Sequence, residues 1–360
     1  MELIRVKAPA RICLFGDHQD YLGLPVIACA IDRYITIVGR PNKTARFNIN
    51  LKDLGGTRII NIDNKFDTLQ PRDYYGSSLR VLRRLGIVPT CGYDITVRGS
   101  IPINAGISSS SALTVAWISF LLKAFGDLSA YTAKQLGHLA YLAESVEHNE
   151  SGGKMDQYTS AVGGSILIET DKDKTLEKLD LQLPCLLICE SGDKKDTLGG
   201  LANLNSQANE AIKILTNLNP LFDIKLAKTA TIPATILKLP KRLHAIYEAA
   251  VKNHQITQEA TNLIKSGTPD YKTLGQLISD HHLVLKELLK ITTPKIDRIV
   301  DAAIGAGALG AKIIGSGGGG CVCILCEDSK KDAILEVLND QINAKSYEVF
   351  ISDGAHTLNL

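Results

Sequence analysis

The sequence predicts an α+β protein of two domains, residues 1–175 and 176–360. Three observations lead there. At 360 residues the chain is too long for one simple core and long enough for two domains. Strand-like and helix-like stretches occur in both halves. A charged segment at 170–180, including KDKTLEK (172–178), interrupts them and reads as a linker.

The elements follow in order. LIRVKAPARICLFG (3–16) reads as a strand, DHQDYLGLP (17–25) as a loop, and VIACAIDRYITIVG (26–39) as a strand or helix followed by a strand. CGYDITVRG (91–99) alternates Tyr93, Ile95 and Val97 against Asp94, Thr96 and Arg98, which predicts a half-exposed strand. Residues 109–125 and 131–148 predict helices. In the second, Leu136, Leu139, Ala140, Ala143 and Val146 recur at helical spacing behind an N-cap at Thr132. TSAVGGSILIE (159–169) is a small-residue turn and a strand. The second half offers a strand at 184–190, a helix-rich middle at 197–300 and a glycine-rich turn at 315–320. A strand, a helix at 330–343 and a last strand near Tyr347 to Ile351 complete it.

Composition excludes several classes. A formal net charge of +2 supplies no field for nucleic acid or a membrane surface. The N-terminus lacks a signal peptide's apolar core, and the apolar run Leu113 to Phe125 contains Lys123 and is too short to cross a bilayer. A cytoplasmic location is expected. Cys13, Cys29, Cys185 and Cys189 lie in apolar runs and read as small buried hydrophobes. In CVCILC (321–326), alternation separates Cys321 and Cys323 from Cys326, and no zinc set is complete.

Four stretches carry chemistry. IPINAGISSSSAL (101–113) places Gly106 and four serines before an apolar helix. Small residues at a helix start leave backbone N–H groups and a positive dipole end open to an anion, phosphate above all. Capping is the simpler reading, but one serine suffices for a cap. GSGGGG (315–320) fits the spacing G-x-G-x-x-G, yet strands flank it on both sides, so it reads as a turn that lets backbone approach a ligand. GDHQDYLG (16–23) gathers Asp17, His18 and Asp20, which suits a hydroxyl-rich ligand, with a metal site or a solvated turn as the other readings. AESVEHNESGGKMDQY (143–158) carries Glu144, Glu147 and His148 at helical spacing, one of its carboxylates a candidate for magnesium and the others exposed helix charges. In the same stretch Asp156 stands beside a Gly-Gly break.

Together APARICLFGDHQDYLG (8–23), SIPINAGISSSSAL (100–113) and GAKIIGSGGGGCV (310–322) resemble the GHMP family of small-molecule kinases, in its galactokinase branch. Residues 143–164 and 281–300 support the resemblance, which spans nearly the whole chain. It implies an N-terminal domain like ribosomal protein S5 domain 2, a ferredoxin-like C-terminal domain, and an active site between them. By resemblance, Gly106, Ser108, Ser109, Ser110, Ser111 and Ala112 bind ATP, while Ser110 and Glu144 hold Mg²⁺. Asp17, His18, Asp20 and Gly153 bind the sugar, and Arg11 and Asp156 stand at the reacting oxygen. The implied reaction is ATP-dependent phosphorylation of a monosaccharide at its anomeric hydroxyl. Kinases for another sugar, a heptose or mevalonate, and a non-catalytic sugar and ATP sensor, are the alternatives. The chain departs from the pattern at Asp17, where the branch has Glu, at Ala10 in place of Gly, and at Lys154, which adds a charge near the reaction centre. ESGDKKDTLGGLANLN (190–205) lacks the sugar-contacting tyrosine of that branch.

Overall fold

β1 (Ile4–Phe15) and β2 (Val26–Pro41) pair antiparallel along almost their whole lengths and form the spine of the first sheet. The computed structural model describes residues 3–102, 105–150, 153–171, 175–193 and 198–358. VIACAIDRYITIVG is one strand rather than two elements, because its β-branched residues run through a bulge. The register shifts between Pro9 and Ala10, leaving Asp32 and Arg33 with no facing β1 residue.

β3 (Arg46–Leu51), β4 (Gly56–Asn61) and β5 (Tyr93–Gly99) extend this sheet on one side of β2, with β3 and β5 parallel. β6 (Ser165–Ile168) pairs with the first residues of β2, and β7 (Leu176–Leu179) pairs with β6. The far edge of β1 is closed by β12 (His356–Thr357). The domain boundary expected at 175/176 therefore needs correction. It falls inside the β6–β7 hairpin, and the end of the chain returns to the first sheet. Residues 172–174 of the expected linker lie outside the described residues.

α1 (Tyr74–Arg84), α2 (Ser109–Phe125), α3 (Ala133–Tyr141) and α4 (Met155–Val162) accompany this sheet. α2 is buried nearly all round, and Trp117, Phe120 and Leu121 share a core with Val6, Ala8, Phe47 and Ile95. Thr132 caps α3 through a reciprocal bond with Gln135. The helix expected over 131–148 becomes a π turn at 142–146, which turns Glu144 inward.

The second unit is a four-stranded antiparallel sheet in the order β11 (Ser346–Val349), β8 (Cys185–Glu190), β10 (Cys321–Cys326), β9 (Gly310–Ile313). Its helices are α5 (Leu198–Leu218), α6 (Ile232–Ile236), α7 (His244–Lys265), α8 (Tyr271–Glu287), α9 (Pro294–Gly305) and α10 (Lys331–Glu336). β10 is buried on both faces. Cys326 joins the core of the second unit, while Cys321 and Cys323 pack with Ala10, Ile12 and Leu14 of β1. The two sheets therefore share apolar contacts across their boundary. Among the described residues no helix is long and apolar enough to cross a membrane.

Candidate active site

A cleft of about 790 Å³ runs between the two units. Arg11, Asp17, His18, Asp20, Gly106, Ser108, Ser109, Ser110, Glu144, Gly153 and Asp156 all border it, so the fold gathers most of the sequence candidates in one place.

Its centre is the pair Arg11–Asp156. β1 carries Arg11, which is only 5% exposed. Asp156 stands in the first turn of α4, and its side chain keeps 29% exposure. Arg11 Nε donates to Asp156 Oδ1 and Nη2 to Oδ2, both at 2.7 Å. This fork is the strong, orienting form of an arginine–carboxylate contact. Burial works against the guanidinium charge, but Asp156 more than offsets it and Arg11 ends above its ordinary value.

The serine loop lies against this pair. Arg11 Nη1 donates to Gly106 O at 2.7 Å, and the Arg11 N–H donates to Ile107 O at 3.2 Å. Ser108 holds the N-cap position of α2, yet its side chain makes no capping bond. Its Oγ donates to Asp156 Oδ2 at 2.5 Å instead. The helix start is thus left without a side-chain cap, facing the cleft through Ser109 and Ser110.

Ser111 and Ala112 need correction. One turn along the helix they point inward. Ser111 is buried and bonds to Glu144, and Ala112 packs in the apolar core with its N–H on Ser108 O. Neither side chain borders the cleft.

Glu144 is a buried carboxylate that accepts from Gln157 Nε2 at 2.7 Å and from the Ser110 and Ser111 hydroxyls. Burial pushes it up to about 7, against these hydrogen bonds. Glu144 and Ser110 set two hard oxygen donors side by side at the cleft, a donor set that suits Mg²⁺. Glu147, expected as an exposed charge, is paired with Arg80 and Arg84 of α1, its side chain 6% exposed.

The loop between β1 and β2 forms the other end. His18 borders the cleft in a left-handed conformation, φ 63°. Asp20 is pushed up to about 7, first by burial and then by the neighbouring Asp156 charge. A Cβ on Gly153 would stand 1.6 Å from Asp20 Oδ2, so glycine is what lets that carboxylate sit there.

Asp17 differs from expectation. It borders the cleft, but Lys312 Nζ donates to Oδ2 and the Gly315 N–H donates to Oδ1 at 3.0 Å. Burial raises this carboxyl, yet Lys312 and His281 together hold it below its ordinary value. Asp17 thus ties the β1–β2 loop to β9 and the glycine turn. Lys312, 0% exposed, is one residue that sequence reasoning missed. Its signal was a lone lysine in the apolar run GAKII.

The glycine turn comes close to the serine loop. Gly315 and Ser316 border the cleft, and a Cβ on Gly320 would stand 2.8 Å from Ala105 O. Lys154 sets its ammonium 5.4 Å from the Tyr141 ring centroid. The tyrosine-free segment 190–205 is outside the described residues at 194–197, while Leu201 and Ala202 of α5 border the cleft. Arg72, Tyr74, Asn149 and Glu150 border it too, and none was singled out as a ligand contact from sequence.

Known proteins resemble the chain along its whole length. Residues 73–164 match a model of the GHMP kinases N terminal domain, and 260–344 one of the GHMP kinases C terminal. Residues 2–41 match the galactokinase galactose-binding signature. A galactokinase of Pasteurella multocida is 26% identical over 94% of this chain and 89% of its own length. A mevalonate kinase of Thermococcus sibiricus is 27% identical over 93% and 92%. The crystal structure of Lactococcus lactis galactokinase complexed with galactose superposes with a TM-score of 0.86 at 21% identity, covering 99% of this chain and 95% of that one. That likeness is one of fold. Both halves of the chain and its sugar loop match family models in the order their elements occupy around the cleft, and the chain belongs to the GHMP kinases, with the sugar-binding signature of the galactokinase branch.

Proposed function

We propose that the protein is an ATP-dependent sugar kinase that phosphorylates a monosaccharide at its anomeric hydroxyl. The observation that carries this reading is the Arg11–Asp156 pair set directly against the uncapped start of α2. The helix start and the serines hold the phosphates of ATP, with Gly106 allowing close approach. Ser110 and Glu144 would hold Mg²⁺, which would supply charge neutralisation at the transferring phosphate. His18 and Asp20 hold sugar hydroxyls, and the Gly153 backbone lies beside them.

The acceptor oxygen attacks the γ-phosphorus and a new P–O bond forms. The bond from that phosphorus to the bridging oxygen breaks, and its electron pair leaves on ADP. The hydroxyl proton passes to Asp156 late in the step, when the oxygen has become acidic. Arg11 offsets charge on the reacting oxygens and fixes the orientation of the carboxylate.

The sugar-loop signature favours a sugar over mevalonate, since the match covers the residues that hold Asp17, His18 and Asp20. A coupled ADP-release screen tests the reading with galactose, N-acetylated hexosamines, arabinose, fucose, uronic acids, heptoses and mevalonate. Turnover on a monosaccharide, with loss of its reducing end in the product, is expected. Turnover on mevalonate alone, or sugar binding without any ADP release, overturns it.

A further inference from the structure

Ser108 has φ 62°, a left-handed conformation that L-residues adopt at a steric cost and glycine adopts freely. Of the seven described non-glycine residues with positive φ, four border the cleft: His18, Arg72, Ser108 and Asn149. Strain held at a site points to a task for the side chain so placed. For Ser108 the task is not capping, because its side chain makes no bond to the helix start. Its hydroxyl donates to Asp156 Oδ2.

An ionised carboxylate offers about four acceptor positions, two on each oxygen. In Asp156, Oδ2 accepts from Arg11 Nη2 and from Ser108 Oγ, while among the described residues Oδ1 accepts only from Arg11 Nε. Among the described residues Oδ2 thus has two donors and Oδ1 one, which leaves an acceptor position on Oδ1. Resting on the kinase reading above, we infer that Ser108 is a positioning residue. It closes Oδ2 and leaves Oδ1 as the atom that receives the acceptor's proton. The same residue opens α2, so the proton acceptor and the phosphate-holding loop are fixed to one another. Arg11 repeats the link by donating to Gly106 O.

The test compares Ser108→Gly and Ser108→Ala with the wild-type enzyme, using ATP and the best sugar from the screen. Ser108→Gly removes the hydroxyl and the backbone strain together, so its melting temperature should equal or exceed that of the wild type. A misaligned reacting group costs on the order of 10²-fold in rate. Both variants are therefore expected to lose kcat on that scale, with KM for the sugar unchanged. A Ser108→Gly enzyme with kcat within about twofold of wild type overturns the inference. So does a loss confined to KM for ATP, which makes Ser108 a phosphate contact only. Failure of the kinase reading looks different: the wild-type enzyme then releases no ADP with any sugar, and the inference falls with it.

Discussion

Asp156 is the proposed proton acceptor, and its surroundings make its removal informative. Asparagine keeps the shape but cannot take a proton. Asp156→Asn is expected to lower kcat by about 10²- to 10⁴-fold, the range of a lost general base. Sugar affinity, measured by calorimetry, should stay near that of the wild type. A near-normal rate would remove Asp156 from its role. Asp20 makes a separate prediction about pH. Its carboxyl rises from 3.8 to about 7 through burial and the nearby Asp156 charge. Between those values the folded protein binds a proton that the unfolded chain has released. Linkage then requires wild-type stability to fall as pH rises through that window. Asp20→Asn removes the effect, so its melting temperature should gain on the wild type between about pH 4 and pH 7 and hold that lead above. A gap that stays constant with pH contradicts the assignment. At this scale the sequence made the polar clusters legible, because Asp, His and Ser in loops beside glycine have few structural reasons to gather. It did not show that Asp17 is committed to Lys312, a contact between residues 295 positions apart. Nor did it show that Ser111 and Ala112 turn inward, which depends on the rotation of α2 about its axis.

Elements were readable where length or alternation left a distinctive mark in the sequence. α2 begins and ends at the expected residues because a helix buried all round carries an unbroken apolar run. β5 was legible from strict alternation, with Tyr93, Ile95 and Val97 buried. β2 was harder, since its apolar first half has no period that separates strand from helix. The π turn at 142–146 left no sequence mark, because its extra residue reflects the packing of α3 against α1 and α4 rather than local preference. The glycine turn allows a direct test. Gly320 has φ 92°, and a side chain there would press on Ala105 O in the serine loop. Gly320→Ala is expected to destabilise the protein by roughly 1–3 kcal/mol, the range of a strained backbone position. It should also weaken ATP binding more than sugar binding, as read by calorimetry with each ligand alone. Equal weakening of both would mean that the turn does not act through the serine loop.

Across the whole molecule, the two units are tied at the site itself. Lys312 reaches from β9 to Asp17 and to Cys13 O at 2.9 Å, all within the interior. Leu24, from the β1–β2 loop, packs in the core of the second unit, and Gln19 Nε2 donates to Thr257 of α7 at 3.2 Å. Removing one member of a buried ion pair leaves the other uncompensated, at a cost of about 3–5 kcal/mol. Lys312→Met should show that loss in chemical denaturation, and adding Asp17→Leu should recover most of it. If the double variant is no more stable than the single one, Lys312 matters for its packing rather than its charge. The two-unit architecture was legible from length and from the order of motifs. The boundary was not, because β7 reads LEKL, a charged edge strand that resembles a linker, and β12 has two residues. β12 has a consequence for how the protein is made. During synthesis β1 leaves the ribosome before the second unit, while the strand that pairs with its open edge leaves after it. Until then the edge at Arg5, Val6 and Lys7 keeps N–H and C=O groups that can pair with another chain. The first sheet therefore completes its edge only after the second unit has been made, and its exposure to misassembly lasts through that interval.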